Sequence, residues 1–160
     1  MKSDHERIRD IQHIVDAASH SRQAVLNVMI RLHENLSDSN WVGVYVLRGD
    51  SLLLGPYVGP KTDHVRIPVG EGVCGTAVAE NKNQIVGDVQ ALDNYLACNL
   101  ETRSEIVVLI RDPATNGILG QIDVDGTRIN AFGPRDEWFL SQVAEILAPH
   151  IPGCLEATDA

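Results

Sequence analysis

The hydrophobic period of this chain changes at Asn40, and that change limits the fold more than any other feature. Before it, apolar residues recur every three or four positions: Ile8, Ile11 and Val15, then Val25, Met29, Leu32 and Leu36. That spacing is the buried stripe of an amphipathic helix, so residues 6–36 are read as helical. Serines at 19 and 21 divide the stretch into two helices, because serine caps a helix better than it fills one. From Asn40 the period is two. Trp41, Gly43, Tyr45 and Leu47 alternate with Val42, Val44 and Val46, which places the two sets on opposite faces of a strand. Arg48-Gly49-Asp50 then turns the chain back into a strand at 52–54. In that position the Arg-Gly-Asp triplet is a hairpin turn and not an adhesion motif.

The strand pattern returns at 65–67, 84–86, 106–110 and 118–124. A glycine-rich turn (Gly70, Gly72, Gly75) leads into a short helix at 74–79, with Gly72 as its expected N-cap. Residues 88–94 read as loop or a helical turn, and 112–117 carries hairpin chemistry. Pro134 and the acids after it announce a last helix, whose expected apolar face is Trp138, Leu140, Val143, Ile146 and Leu147. The tail with Cys154 is expected to be frayed or loosely docked. The order implies an α/β (α+β) fold: an antiparallel sheet of five to six strands, terminal helices on one face and ligand-pocket loops on the other. At 160 residues a single domain is expected over 1–160, with a helical N-terminus at 6–36, a core at 37–148 and a short tail at 149–160.

Charge narrows the function classes. Thirteen Lys and Arg against 22 Asp and Glu give a formal charge of −9, without a basic run. Phosphate backbones and anionic membrane surfaces would be repelled, which weighs against both as partners. The first residues lack the layout of a secretory signal, and no apolar run approaches the roughly 20 residues that span a bilayer. A cytoplasmic location is expected, where three cysteines are reduced at rest. They form no Cys-x-x-Cys and have no neighbouring His pair, so no metal site and no bound cofactor are expected. His5, His13, His20 and His33 are read as helix-surface residues.

Chemistry concentrates in two thiols and three acids. Cys74 stands at a helix start, where unpaired N–H groups favour a thiolate, and Cys98 lies in a polar loop. Glu105 opens one strand, and Asp123 and Asp125 share a face of the strand that pairs with it. Such a trio is costly unless something offsets it: a metal, a ligand ammonium group, a shared proton, or plain solvation at strand ends. Trp41 and Tyr45 share a face and form either an aromatic wall or ordinary core.

Four stretches taken together are more specific: Asn40-Trp41-x-Gly43-x-Tyr45; residues 66–78, RIPVGEGVCGTAV; Ala97-Cys98 with Ser104-Glu105; and Asp123-x-Asp125. In this order the set resembles the GAF-domain free methionine-(R)-sulfoxide reductases, over roughly residues 35–148. The resemblance implies that Cys98 attacks the sulfoxide sulfur of free methionine-(R)-sulfoxide. It implies that Glu105, Asp123 and Asp125 hold the substrate ammonium and protonate the sulfoxide oxygen. Trp41 and Tyr45 would wall the methyl-sulfoxide end, and Cys74 would be a possible resolving thiol. Thioredoxin or a similar dithiol would regenerate the enzyme. One position departs from the family pattern: His64 stands ten residues before Cys74, where a resolving cysteine is usual. Tyr95 and Asn99 also differ from the residues common around the family's nucleophile. The alternative is a GAF ligand-binding or redox-sensing module without turnover. Apolar faces on the terminal helices suggest a homodimer.

Overall fold

The computed structural model describes residues 1–93 and 101–156. Helices α1 (Asp4–Ala17) and α2 (Ser21–Asn35) come first, then strands β1 (Ser39–Arg48), β2 (Ser51–Val58) and β3 (Arg66–Pro68). Helix α3 (Gly72–Glu80), strand β4 (Gln84–Val86) and a single 3-10 turn at Val89–Ala91 lead to β5 (Ser104–Arg111), β6 (Ile118–Gly126) and α4 (Pro134–Leu147). The six strands form one sheet in the order β3-β2-β1-β6-β5-β4, and every pairing is antiparallel. The expected architecture of sheet and terminal helices is therefore present.

Alternation along the strands separates two cores. Val42, Val44, Val46, Ile106, Val108, Ile110, Ile122 and Val124 pack under α1, α2 and α4. The alternate residues, among them Trp41, Tyr45, Val107 and Leu109, face α3 with Val73, Cys74 and Ala77. At about 25 cal/mol per Å² of apolar surface, the larger, helix-covered core is the main source of stability. The smaller core positions α3.

Helix ends differ from expectation in instructive ways. Ser3 caps α1 by accepting from the Glu6 N–H at 3.2 Å. At α2 the cap is not a serine: the His20 ring nitrogen accepts from the Gln23 N–H at 3.2 Å. Ser21 is instead the first helical residue, and its hydroxyl lies 3.2 Å from Nδ1 of His150. Gly72 is likewise the first residue of α3, following Glu71 at the N-cap position. Gly75 is required there, because a Cβ would lie 2.6 Å from the Pro68 carbonyl oxygen. On α4 the inward arc is Phe139, Leu140, Val143, Ala144 and Leu147. Trp138 falls outside that arc, 43% exposed, and meets the His5 ring edge to face.

The tail is docked, contrary to expectation. Ile151 and Cys154 are fully buried in the helix-covered core. Their spacing of three puts both on one side of a turn, and two arginines fix the backbone between α2 and β1. Arg22 donates to the Cys154 carbonyl at 3.1 Å and Arg48 to that of Pro152 at 2.9 Å.

Candidate active site

Three central strands set the site by register alone. Across β1, β6 and β5, Trp41 pairs with Asp125, which pairs with Glu105. One step along, Gly43 pairs with Asp123 and Asp123 with Val107; the next row is Tyr45, Gln121 and Leu109. Because strand side chains alternate, all three rows point toward α3. Trp41, Tyr45, Gln121, Asp123 and Asp125 are fully buried, and Glu105 is only 4% exposed. The two acids on β6 and the one on β5 thus share one dry patch, and of the alternatives open in the sequence, plain solvation at strand ends falls away.

Helix α3 brings the thiol to them. Cys74 Sγ lies 3.9 Å from Oε2 of Glu105, and Cys74, Glu105 and Asp123 each offer an atom within 4.8 Å of the others. Gln121 fixes this docking by donating from Nε2 to the Cys74 carbonyl at 3.0 Å. That glutamine escaped the sequence reading, although a polar residue two before Asp123 on an otherwise apolar strand is a usable signal.

The aromatic wall has three rings, not two. Trp41 stacks on Tyr57 with centroids 5.3 Å apart and on Tyr45 at 6.2 Å. Tyr57 is the β2 partner of Gly43 in the strand register. Gly43 makes the stack possible, since a Cβ there would lie 2.5 Å from the Trp41 ring and 2.7 Å from Tyr57 Cβ. The Tyr45 hydroxyl donates to the His64 carbonyl at 2.9 Å. At position 64 the backbone therefore supports the wall whatever side chain the residue carries. The Trp41 indole N–H is buried and has no acceptor among the described residues.

Electrostatics single out Asp123. Burial pushes its carboxyl well above the ordinary carboxylate value, and the approach of Glu105 and Cys74 offsets this only in part. A carboxyl group in that state keeps its proton at higher pH and can give it to a bound acceptor.

Other placements complete the picture. A cavity of about 290 Å³ opens beside the start of α3, lined by Gly72, Val73, Thr76, Gln84, Val86, Leu92 and Asp93. A larger one, about 600 Å³, runs between the end of α3, the β5–β6 hairpin and α4, and none of the three acids lines it. Cys98, expected as the nucleophile, lies outside the described residues, as do Tyr95 and Asn99. Cys154 sits on the opposite face of the sheet, packed 3.5 Å from where a Cβ on Gly55 would lie, and is not part of the cluster.

A family model described as "GAF domain" matches residues 19–151. The chain is 41% identical to the free methionine-R-sulfoxide reductase of Escherichia coli over 135 residues, covering 84% of this chain and 80% of the relative. The solved free methionine-R-sulfoxide reductase of Neisseria meningitidis, in complex with its substrate, superposes with a TM-score of 0.85 at 32% identity, covering 93% of this chain and 88% of that one. The type II enzyme of Thermoplasma acidophilum gives a TM-score of 0.80 at 36% identity, covering 91% and 98%.

Proposed function

The chain belongs to the GAF-domain free methionine-(R)-sulfoxide reductases, and we propose that its buried acid patch is the place where the substrate amino acid binds and is protonated. The protein reduces free methionine-(R)-sulfoxide to methionine. The observation that carries the site assignment is the row of Trp41, Asp125 and Glu105 with Asp123 beside it, fully or almost fully buried under α3. Burying three carboxyl groups together is expensive, and a ligand ammonium group lowers that cost. A peptide-bound methionine sulfoxide has no such group to offer, which makes the free amino acid the preferred substrate.

In this reading the stacked rings of Trp41, Tyr45 and Tyr57 hold the methyl-sulfoxide end. The unsatisfied Trp41 N–H donates to a substrate oxygen. Asp123, protonated because it is buried, gives its proton to the sulfoxide oxygen and makes the sulfur electrophilic. The Cys98 thiolate attacks that sulfur, methionine leaves, and the oxygen stays on the enzyme as a sulfenic acid. A second thiol then displaces water from the sulfenic acid and closes a disulfide. Cys74 is the candidate resolver, because it stands at the acid cluster while position 64 is histidine. An external dithiol of the thioredoxin type reduces the disulfide and closes the cycle. A cytoplasmic location fits this reducing chemistry. Exposed Trp138 and Ile30 on the helical side support a homodimer formed through the helices.

The test is turnover of free methionine-(R)-sulfoxide with thioredoxin or dithiothreitol, for the wild type and Cys98→Ser. Loss of turnover in Cys98→Ser is expected, by about a thousandfold or more as for other removed nucleophiles. Equal activity in the two proteins would remove Cys98 from the mechanism.

A further inference from the structure

The cluster that receives an ammonium group has the donor set of a different cation as well. We infer that in the reduced protein Cys74, Glu105 and Asp123 bind a thiophilic divalent cation of the zinc and cadmium class, which shuts the site by excluding the substrate. The inhibitory consequence rests on the reductase assignment above; uptake of the metal does not.

Three observations support it. One atom from each of the three side chains lies within 4.8 Å of the other two, and the sulfur-to-oxygen separation to Glu105 is 3.9 Å. Zinc bonds of about 2.3 Å to sulfur and 2.0–2.2 Å to oxygen, at tetrahedral angles, place ligand atoms about 3.5 Å apart. Small carboxylate rotations close the remaining gap. Next, all three side chains are at least nine-tenths buried, so a bound ion would be shielded from competing water. Finally, the polar side chains that buried Asp123 meets are Glu105 and Cys74 themselves, so the three groups converge on one another. A divalent ion at their centre would take the place of the protons that now lie between them.

The donor chemistry selects the metal. Calcium and magnesium take six or more oxygens, and three buried ligands that include sulfur cannot supply them. A thiolate with two carboxylates suits a borderline-soft ion that accepts four ligands. Binding forms one metal–sulfur and two metal–oxygen bonds and releases the Cys74 thiol proton and the Asp123 carboxyl proton to solvent, with no change of oxidation state. The cation takes the place of the ammonium and does no chemistry, so it is an inhibitor and not a cofactor. Because it masks Cys74, it also withholds the candidate resolving thiol.

Cadmium titration of the reduced full chain tests this without turnover, through the near-ultraviolet charge-transfer band of a cadmium–thiolate bond. One equivalent should develop the band in the wild type, in Cys98→Ser and in Cys154→Ser, and no band should develop in Cys74→Ser. Glu105→Gln should weaken binding at least about tenfold. In Cys98→Ser, which cannot turn over, free methionine sulfoxide should displace the metal. With the wild type, zinc should raise KM for methionine sulfoxide and leave kcat unchanged. A full band in Cys74→Ser, no band in the wild type, or zinc inhibition that lowers kcat alone would overturn the inference. A band on Cys74 in a protein that fails to reduce methionine sulfoxide would instead sink the reductase assignment and leave the metal site standing.

Discussion

On the face covered by α1, α2 and α4, the central strands present Val42, Val44, Ile106, Val108, Ile122 and Val124. On the face covered by α3 the same strands present Trp41, Tyr45, Glu105, Gln121, Asp123 and Asp125. Both faces are dry. The difference lies in what burial costs: aliphatic side chains gain by leaving water, whereas a carboxylate loses its hydration and needs a partner. The two buried cysteines repeat the contrast. Cys154 lies among aliphatic residues, and burial pushes its thiol up to about 11. Cys74 is almost as buried yet touches Glu105 and Asp123. One face stores stability, and the other gathers buried acids that a ligand cation can meet.

Asp123→Asn breaks the contrast most severely. Removing the proton donor should lower kcat for free methionine sulfoxide by about 10²–10⁴-fold, the usual worth of general acid catalysis. The same change removes a buried ionisable group, so the unliganded protein should melt higher, by roughly 2–4 °C for each kcal/mol gained. The pH dependence has a definite sign. The folded protein holds the Asp123 proton more tightly than the unfolded chain, whose aspartates titrate near 3.8. Its stability should therefore fall as pH rises from that value through the raised folded value, and this slope should vanish in Asp123→Asn. A steeper slope in the variant would mean that Asp123 is not the group that keeps its proton.

On the opposite face, Leu32→Ala should cost about 2–5 kcal/mol of stability in denaturant unfolding. Activity per folded molecule should stay unchanged, because Leu32 is fully buried in the helix-covered core. A large fall in kcat/KM at temperatures where the variant is folded would show that the two faces are not separate.

These two variants also mark what the sequence makes legible. Strand alternation is a local property, so assigning Val42 and Val44 to one face and Trp41 and Tyr45 to the other follows from period alone. The shared face of Asp123 and Asp125 follows in the same way. Contact between Cys74 and Glu105 does not, because it depends on how α3 docks over a strand 31 residues away. Tyr57 joins the wall through cross-strand register with Gly43, which no single-strand pattern encodes. The tail misleads for a different reason: Ile151 and Cys154 are two apolar residues among Pro152 and Gly153, too few to show a period. His20 takes the cap position expected of a serine, while Ser21, one residue inside the helix, meets His150.

Gly43→Ala is a smaller perturbation of the site face. Its Cβ would collide with the Trp41 ring, so the stack must shift. KM should rise about tenfold, the cost of roughly 1.4 kcal/mol of lost complementarity, with the variant still folded. An unchanged KM would mean that the stack does not contact the substrate. The mildest probe is alkylation of the native protein at neutral pH. With its thiol near 11 and fully buried, Cys154 should resist modification until the chain unfolds, and mass mapping reads this directly. Modification of Cys154 in the folded state would contradict the docked tail.

The direct measurement of the central claim compares free methionine-(R)-sulfoxide with its N-acetyl derivative in the wild-type enzyme. The acetyl group removes the positive charge and leaves the sulfoxide intact. A loss in kcat/KM of about a thousandfold or more is expected, because Glu105, Asp123 and Asp125 would then be buried with no cation to meet. Equal kcat/KM for the two compounds would show that the acid patch does not hold the ammonium group.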